Sequence, residues 1–232
     1  STDGKTLLSG SDDCTVKAWD VISGQEKLNY RGHIQDGTGI SFIRISPSDD
    51  RVLTLGWDGG AGELNVWSLK SGETTLVERG FSNPTFHFGW SYSGDGNRIA
   101  LVDRTRPKFW NAETGEKLDF KLPALQFEAA ALNEDGSLIA ACEVGAEGLI
   151  GVWTLPEGKE LFCVRKPSKI TSYSKLIFNS LRMHVLCVDD RGMVDILDAK
   201  SGELIAQLPG AGSVQFSVDE KLLARRKENR LI

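Results

Sequence analysis

The stretch that decides the fold is Gly10–Asp20, which reads GSDDCTVKAWD and is followed by Ser23 and Gly24. Its tryptophan stands four residues before a serine and five before a glycine, and this register, with a small or acidic residue at the serine position, returns four more times. The five apolar anchors, 43 to 48 residues apart, are Trp19, Trp67, Trp110, Trp153 and Leu197. A fixed period in the low forties indicates one supersecondary unit copied along the chain.

Each unit is predicted to consist of short β-strands. In the first unit Thr6–Ser9, Thr15–Trp19 and Glu26–Tyr30 read as strands, with turns at Gly10–Asp13 and Ser23–Gly24. Short apolar strands with turn signals about every 8–12 residues are typical of all-β proteins. A helix would need apolar residues at a period near 3.6, and the long stretches of that pattern are missing. The expected class is therefore all-β.

Composition argues against several classes of function. The chain of 232 residues carries a net charge of −5 and has a pI near 5.3, which disfavours bulk affinity for nucleic acid or anionic membrane. No apolar run approaches the roughly 20 residues of a membrane span, and Ser1–Lys5 does not resemble a signal peptide. The 4 cysteines are far apart and only 3 histidines occur, so we expect no metal site and reduced thiols in the cytoplasm.

The stretch Gly10–Asp20, with Gly32-His33 further on, resembles the WD40 repeat of β-propellers. The resemblance covers essentially the whole chain, and the later units keep only the spacing. The family packs four-stranded blades radially around a channel. Residues 1–232 would thus be a single propeller region, with four complete blades and two partial blades at its ends, the last from Val214. Because the chain opens and ends inside units, we expect a fragment, truncated at both ends, of a seven-bladed ring; the alternative is a complete six-bladed ring.

The resemblance also implies a buried hydrogen-bonded set in each blade. The second unit would supply His33, Thr54, Asp58 and Trp67, and the first unit Ser9, Asp13 and Trp19. In the third unit Ala100 and Arg104 stand where serine and aspartate are expected, so its set is lost. We interpret these residues as structural, because leaving a buried polar group unpaired costs about 1–3 kcal/mol. His33 beside Asp58 would also fit a catalytic pair.

Function is sought where the repeat is broken. The loop GWDGGAG at residues 56–62 is three residues longer than its counterpart in the first unit, and it holds Trp57. By the resemblance this loop lies on the top face of the propeller, together with the loops between blades. Trp57 fits two interpretations, a binding hot spot and a residue packed over its own blade. Phe81, beside Arg79, is a second aromatic candidate.

Charge differs between the two faces that the resemblance defines. Acidic residues collect on the bottom face, whereas the top face carries basic clusters. The candidate partner-binding residues are Trp57, Arg79, Phe81, Arg104, Arg106, Arg165 and Lys166. The basic clusters favour an acidic or phosphorylated partner segment, and the alternative is a solvated charged rim.

The predicted function is a non-catalytic scaffold that binds peptides or partner domains on the top face, as one module of a larger protein. A catalytic propeller, of the hydrolase or quinone-dependent dehydrogenase type, is the alternative, and a nucleic-acid-binding propeller is a third class. Catalysis requires convergent catalytic groups or metal ligands. We expect no enzyme activity, no cofactor, no small-molecule substrate, and neither membrane nor nucleic acid as a partner.

Overall fold

The computed structural model describes residues 1–34, 37, 39–57, 61–82, 89–102, 107–144, 149–165, 173–189, 191–209, 214–216, 223–227 and 230–231. At residues 82 and 89 and in the last three ranges it describes the backbone alone. Every regular secondary-structure element in these residues is a β-strand, which confirms the predicted all-β class.

The strands are short. In chain order they are β1 (Thr6–Gly10), β2 (Val16–Asp20), β3 (Glu26–Tyr30), β4 (Gly39–Ile45), β5 (Arg51–Trp57), β6 (Ala61–Ser68), β7 (Thr74–Ser82), β8 (Gly89–Tyr92), β9 (Arg98–Val102), β10 (Lys108–Asn111), β11 (Lys117–Leu118), β12 (Phe127–Leu132), β13 (Leu138–Glu143), β14 (Leu149–Thr154), β15 (Glu160–Arg165), β16 (Tyr173–Asn179), β17 (His184–Asp189), β18 (Val194–Asp198), β19 (Leu204–Leu208), β20 (Val214–Phe216), β21 (Leu223–Lys227) and β22 (Arg230–Leu231).

Each strand pairs with its neighbours in sequence. Strands β1–β3 form the first sheet, with three strands, and β20–β22 form the sixth, also with three. Between them in sequence, β4–β7, β8–β11, β12–β15 and β16–β19 form the second to fifth sheets, with four strands each. These four-stranded meanders are the blades expected of a WD40-type propeller, and the predicted four complete and two partial blades are confirmed. The seven-bladed ring, the single region and the truncation stay predictions.

Backbone contacts divide the chain into two compact units. The first compact unit comprises Ser1–Thr85 with Trp110–Lys117, and the second compact unit comprises Phe86–Phe109 with Leu118–Ile232. In the first compact unit, buried Val16 and Tyr30 of the first sheet pack against Val52 and Trp67 of the second sheet. The Tyr30 ring stacks on the Trp67 indole with centroids 4.4 Å apart and planes 7° apart. An aromatic pair in this offset arrangement contributes about 0.5–1.5 kcal/mol beyond the area it buries.

The second compact unit has a core that combines alanines with large aromatic side chains. Strand β12 carries three buried alanines in a row and lies against both β8 and β16. The alanines allow these strands to approach closely, while Phe127 and Trp153 fill the remaining space, with ring centroids 5.6 Å apart. Buried Tyr173 and Phe178 continue the core into the fifth sheet.

The register of anchor and glycine corresponds to one repeated turn. The five glycines adopt positive φ angles of 70°, 74°, 70°, 71° and 75°, at Gly24, Gly72, Gly115, Gly158 and Gly202. In each turn the glycine N–H donates to the carbonyl of the residue that follows the anchor, as Gly24 does to Asp20 at 2.8 Å. Glycine recurs here because other residues rarely adopt a left-handed conformation.

Candidate interaction site at one end of the second sheet

The second sheet brings most of the described candidate residues to one of its ends, which we call the top end. Strand β5 ends there at Trp57, β6 begins at Ala61, β7 ends at Ser82, and β4 begins at Gly39. These strands are antiparallel neighbours, so the end of one lies beside the start of the next. The sequence predicted Trp57, Arg79 and Phe81 separately, and all three meet here.

A β-bulge divides this end into two faces. Glu63 pairs with Gly56 on one side and with Arg79 on the other, so these three residues share a face. Gly62 pairs with Trp57 and Phe81, which therefore share the opposite face. Gly80, at a φ of 79°, is the extra residue that shifts the register between them. Without this bulge Arg79 and Phe81 would have the same orientation, because side chains alternate along a strand.

The face turned towards the first sheet carries a chain of buried hydrogen bonds. The Trp67 indole Nε1–H donates to Thr54 Oγ1 at 3.3 Å, and Thr54 Oγ1 lies 2.7 Å from His33 Nε2. The other ring nitrogen, His33 Nδ1, lies 2.9 Å from Glu63 Oε2. An ionised carboxylate only accepts, so Nδ1 carries the proton and Nε2 accepts from the Thr54 hydroxyl. The chain therefore runs in one direction with His33 neutral.

Glu63 is the buried charge at the centre of this face. Its Oε2 also accepts from the Ile34 N–H at 3.0 Å, and its Oε1 accepts from Arg79 Nε at 2.9 Å and Nη2 at 2.8 Å. Burial opposes ionisation of Glu63, but the bonds from Ile34, Arg79 and His33 outweigh it and lower the pKa of the carboxyl. Burial also lowers the pKa of His33, and the contact with Glu63 offsets only part of that effect. Near neutral pH we therefore take Glu63 as charged and His33 as neutral.

Glu63 was missed by sequence reasoning, which assigned the carboxylate role to Asp58. Asp58 lies outside the described residues. A signal for Glu63 did exist in Gly56, whose position inside a strand marks a close approach. A Cβ on Gly56 would lie 2.9 Å from His33 Nδ1, so the missing side chain makes room for the imidazole beside Glu63.

The arrangement of Thr54, His33 and Glu63 matches a hydroxyl, a base and an orienting carboxylate in order. A nucleophile must reach its substrate, however, and Thr54 is 0% exposed. Its oxygen is also engaged by the Trp67 indole. The geometry therefore favours a structural role over the catalytic alternative considered for His33.

The first sheet repeats part of this set closer to solvent. Trp19 Nε1–H donates to Ser9 Oγ at 2.9 Å, as Trp67 does to Thr54. Asp13 instead accepts from the backbone N–H and the hydroxyl of Thr15, at 2.9 and 2.7 Å. These two bonds lower the pKa of Asp13. Asp13 therefore closes its own turn after β1.

Strand pairing corrects one position in the third sheet. In the second sheet Val52 pairs with Ile45, the last residue of β4, and Thr54 lies two residues after Val52. In the third sheet Ile99 pairs with Tyr92, the last residue of β8, so Ile99 corresponds to Val52. The counterpart of Thr54 is thus Leu101, one residue beyond the predicted Ala100. Neither an alanine nor a leucine side chain can form a hydrogen bond. The third sheet therefore still lacks the hydroxyl of the predicted hydrogen-bonded set at this position.

The opposite face of the top end is aromatic. Phe81 is 1% exposed and lies over Gly62, where an added Cβ would be 2.0 Å from the ring carbon Cε2. Trp57 is partly exposed, and its ring meets that of Phe81 edge to face, with centroids 5.9 Å apart and planes at 67°. Phe81 is thus a buried support, and Trp57 is the member of the pair that reaches the surface.

The remaining candidates are basic. Arg79 bonds to Glu63, yet 57% of its side chain is exposed. Arg165 is exposed at the last position of β15, which is the corresponding end of the fourth sheet. Arg104, Arg106 and Lys166 lie outside the described residues.

A second buried polar set occupies the fifth sheet. Tyr173 Oη–H donates to Asp195 Oδ2 at 2.5 Å, and Gln207 Nε2–H donates to Asp195 Oδ1 at 2.7 Å. Burial raises the pKa of Tyr173, so its hydroxyl stays protonated and available as a donor. Asp195 lies two residues before the anchor Leu197, where the second sheet has Asn65.

A metal-binding cluster and a membrane-spanning helix are both absent from the described part of the chain. It contains no group of three or more histidine, cysteine, aspartate or glutamate side chains arranged to hold a metal ion. Nor does it contain a helix long and apolar enough to cross a membrane. The four cysteines are free thiols, and Cys14, Cys142 and Cys187 are buried.

Comparison with known proteins identifies relatives of this repeat. The family described as "WD domain, G-beta repeat" matches residues 1–20, which contain the stretch GSDDCTVKAWD. Protein tipD of Dictyostelium discoideum is 33% identical over 48% of this chain and 17% of its own length. SIR4-interacting protein SIF2 of Saccharomyces cerevisiae is 31% identical over 42% of this chain and 17% of its own length. WD repeat-containing protein 26 homolog of Drosophila melanogaster is 23% identical over 100% of this chain and 37% of its own length.

The relatives are much longer than the matched region. The chain spans between 12% and 37% of the length of the curated relatives that it matches.

Proposed function

Because this chain belongs to the WD40-repeat family, we propose that it is a non-catalytic protein-interaction scaffold that binds a peptide or a partner domain at the top ends of its sheets. The observation that carries the proposal is Trp57, a partly exposed indole held at the top end of the second sheet by the buried Phe81 ring. Tryptophan is enriched among the few residues that dominate binding energy at protein interfaces. A rim position on a rigid sheet reduces the entropy lost when such a side chain is ordered by a partner.

Two exposed arginine side chains support an acidic or phosphorylated partner segment. Arg79 has its exposed guanidinium at the same end of the same sheet as Trp57, and Arg165 is exposed at the matching end of the fourth sheet. Arginine binds carboxylate and phosphate groups through paired N–H donors, which gives both affinity and orientation. Arg104, Arg106 and Lys166 extend this proposal on the sequence alone.

The absence of catalysis is part of the proposal and has its own support. Among the described residues, the hydroxyl, imidazole and carboxylate that resemble a catalytic triad are buried and hydrogen-bonded to one another and to Trp67. The name of the relative SIF2, a SIR4-interacting protein, describes a protein that interacts with another protein. The free cysteines agree with a reducing compartment, and we propose the cytoplasm.

The test is affinity capture with the full chain and two matched variants. Trp57→Ala removes the indole at the top end, and Leu181→Ala removes a side chain that is 61% exposed in the turn after β16. Partners recovered by wild type and by Leu181→Ala, but not by Trp57→Ala, are the expected result. Circular dichroism and thermal unfolding of each variant establish that the fold is retained.

Two outcomes would contradict the proposal. Identical partners from wild type and Trp57→Ala would show that the top end of the second sheet is not the binding surface. Turnover of a substrate by the purified chain, lost in Thr54→Val, would return the catalytic interpretation. Arg165→Glu tests the acidic partner separately, because reversing this charge should weaken capture without changing the identity of the partners.

A further inference from the structure

One carboxylate at the top end of the second sheet is shared by two basic groups. His33 Nδ1 bonds to Glu63 Oε2, while Arg79 Nε and Nη2 bond to Glu63 Oε1. His33 is buried and changes its charge with pH, whereas Arg79 is permanently charged and partly exposed to solvent. The same carboxylate thus connects a titrating interior group to a surface group that an anion can approach.

Among the described residues, the neighbours of His33 come from four strands. Thr54 from β5 presents a hydroxyl, and Glu63 from β6 presents a charge. The Tyr30 ring, from β3, meets the His33 imidazole edge to face, with ring centroids 6.0 Å apart and planes at 88°. Burial raises the pKa of the Tyr30 hydroxyl, so this group stays neutral. Arg79 from β7 is the neighbouring positive charge, and it opposes protonation of His33. Asp58 lies outside the described residues.

We propose that Glu63 couples protonation of His33 to anion binding at Arg79, so that the top end of the second sheet holds an acidic partner segment more tightly when His33 is charged. The proposal rests on the function proposed above and adds a regulation of the same site. With both His33 and Arg79 positive, Glu63 carries one charge for two cations. An anion at the exposed guanidinium removes this imbalance.

Linkage makes the effect reciprocal. If protonated His33 increases the affinity of Arg79 for an anion by some factor, a bound anion must increase the proton affinity of His33 by the same factor. Coupling between two sites commonly amounts to about 5–150-fold, and we expect the lower end, about fivefold, because Arg79 is partly screened by solvent. The two effects can be measured independently.

The first experiment measures the coupling without any ligand. The pKa of His33 is followed in the full chain by NMR of the histidine 13Cε1 resonances, of which there are 3, and His33 is assigned by its loss in His33→Gln. Arg79→Leu should raise the pKa of His33, because the competing positive charge is gone. The matched variant Arg165→Leu, which removes an exposed arginine from another sheet, should leave it unchanged.

The carboxylate is identified by the same titration. Glu63→Gln should lower the pKa of His33, since the neutral amide no longer stabilises the imidazolium, and it should do so by more than Asp58→Asn. The coupling is contradicted if Arg79→Leu does not change the pKa of His33. The role of Glu63 in the coupling is contradicted if Asp58→Asn lowers that pKa as much as Glu63→Gln does. Neither result depends on a partner, so both are distinct from a failure of the Trp57 capture experiment.

The second experiment uses a fluorescently labelled peptide of six aspartates as the probe. We expect about fivefold tighter binding at pH 5.5 than at pH 7.5 in wild type, beyond any gain seen in His33→Gln. Arg79→Leu should bind the peptide weakly at both pH values. Arg165→Leu should still bind it more tightly at pH 5.5 than at pH 7.5, by more than His33→Gln does. An equal gain in wild type and His33→Gln overturns the coupling to binding, and no binding at either pH overturns the acidic ligand.

Discussion

At the scale of single residues, the second sheet depends on a few buried polar atoms. Thr54 Oγ1 is the central one, because it accepts from Trp67 and donates to His33. The corresponding pair in the first sheet, Ser9 and Trp19, forms the same bond where solvent can replace it. The two sheets therefore offer one interaction in two environments.

Replacing Thr54 by valine should destabilise the protein more than replacing Ser9 by alanine. Thr54→Val keeps the shape but leaves the Trp67 N–H and His33 Nε2 without their partner in the interior, at a cost of about 1–3 kcal/mol for each unpaired group. Ser9→Ala should cost less than about 1 kcal/mol, because water can take the place of the hydroxyl. The free energy of unfolding in urea measures both, and equal costs would contradict the structural role assigned to Thr54.

Stability should fall between pH 7.5 and pH 5.5 because of His33. Burial lowers the folded-state pKa of His33 below its unfolded value of about 6.5, so the unfolded state binds more protons in this range. The stabilisation is complete above the unfolded pKa and is lost as the pH decreases towards the folded pKa. Urea unfolding across this range should show a smaller loss in His33→Gln than in wild type; an equal loss would assign the effect to other groups.

At the scale of elements, the repeat is a turn whose geometry is kept while its residues change. The residue after the anchor is Asp20, Ser68, Asn111, Thr154 or Asp198, and in each case its side-chain oxygen accepts a backbone N–H from the same turn. Aspartate, asparagine, serine and threonine all close turns in this way. The later units therefore diverge from the WD40 pattern without losing its structure.

The turn glycines should respond to alanine according to what surrounds them. Gly24 has a φ of 70° and no atom within 4 Å of an added Cβ, so Gly24→Ala should cost only the strain of the left-handed conformation, about 1–2 kcal/mol. Gly115 has the same φ of 70°, but its Cβ would lie 2.0 Å from the Thr75 carbonyl oxygen. Gly115→Ala should therefore be clearly more destabilising in urea unfolding. Similar costs would show that the backbone at Thr75 moves aside freely.

The aromatic pair should depend on Gly62. Gly62→Ala places a methyl group on the position of the Phe81 ring, and overpacking of this kind costs about 1–3 kcal/mol. It should also alter the fluorescence of Trp57 and weaken partner capture. The double variant Gly62→Ala/Phe81→Ala relieves the collision. Its loss of unfolding free energy should therefore be smaller than the sum of the losses in the two single variants. Additive costs would place the strain elsewhere.

At the scale of the whole molecule, net charge and local charge act in opposite directions. The chain carries −5 in total, which would repel the proposed acidic partner at long range, whereas Arg79 and Arg165 would attract it locally. Arg79 is paired with Glu63, so the proposed coupling to His33 would determine how much of the arginine charge a partner encounters.

Salt should therefore weaken partner binding. At about 0.1 M ionic strength the screening length is near 10 Å, and higher salt reduces attraction between exposed charges. The affinity of the captured partner should fall between 50 mM and 500 mM salt, and this dependence should be smaller in Arg165→Glu. A salt-independent affinity would argue against basic recognition and would favour the aromatic contact alone.

The sequence by itself determined the architecture of this protein. Short apolar strands with regular turn signals predicted the β-class. The spacing from Trp19 to Gly24 and its four copies predicted the number of complete sheets and the turn glycines, because a turn depends on residues close together in the chain. The geometry of the candidate site was decided by tertiary structure. The pairing of Glu63 with His33 across 30 positions, the bulge at Gly80 and the burial of Phe81 over Gly62 depend on the register between strands. That register results from packing between distant segments, and a local pattern does not contain it.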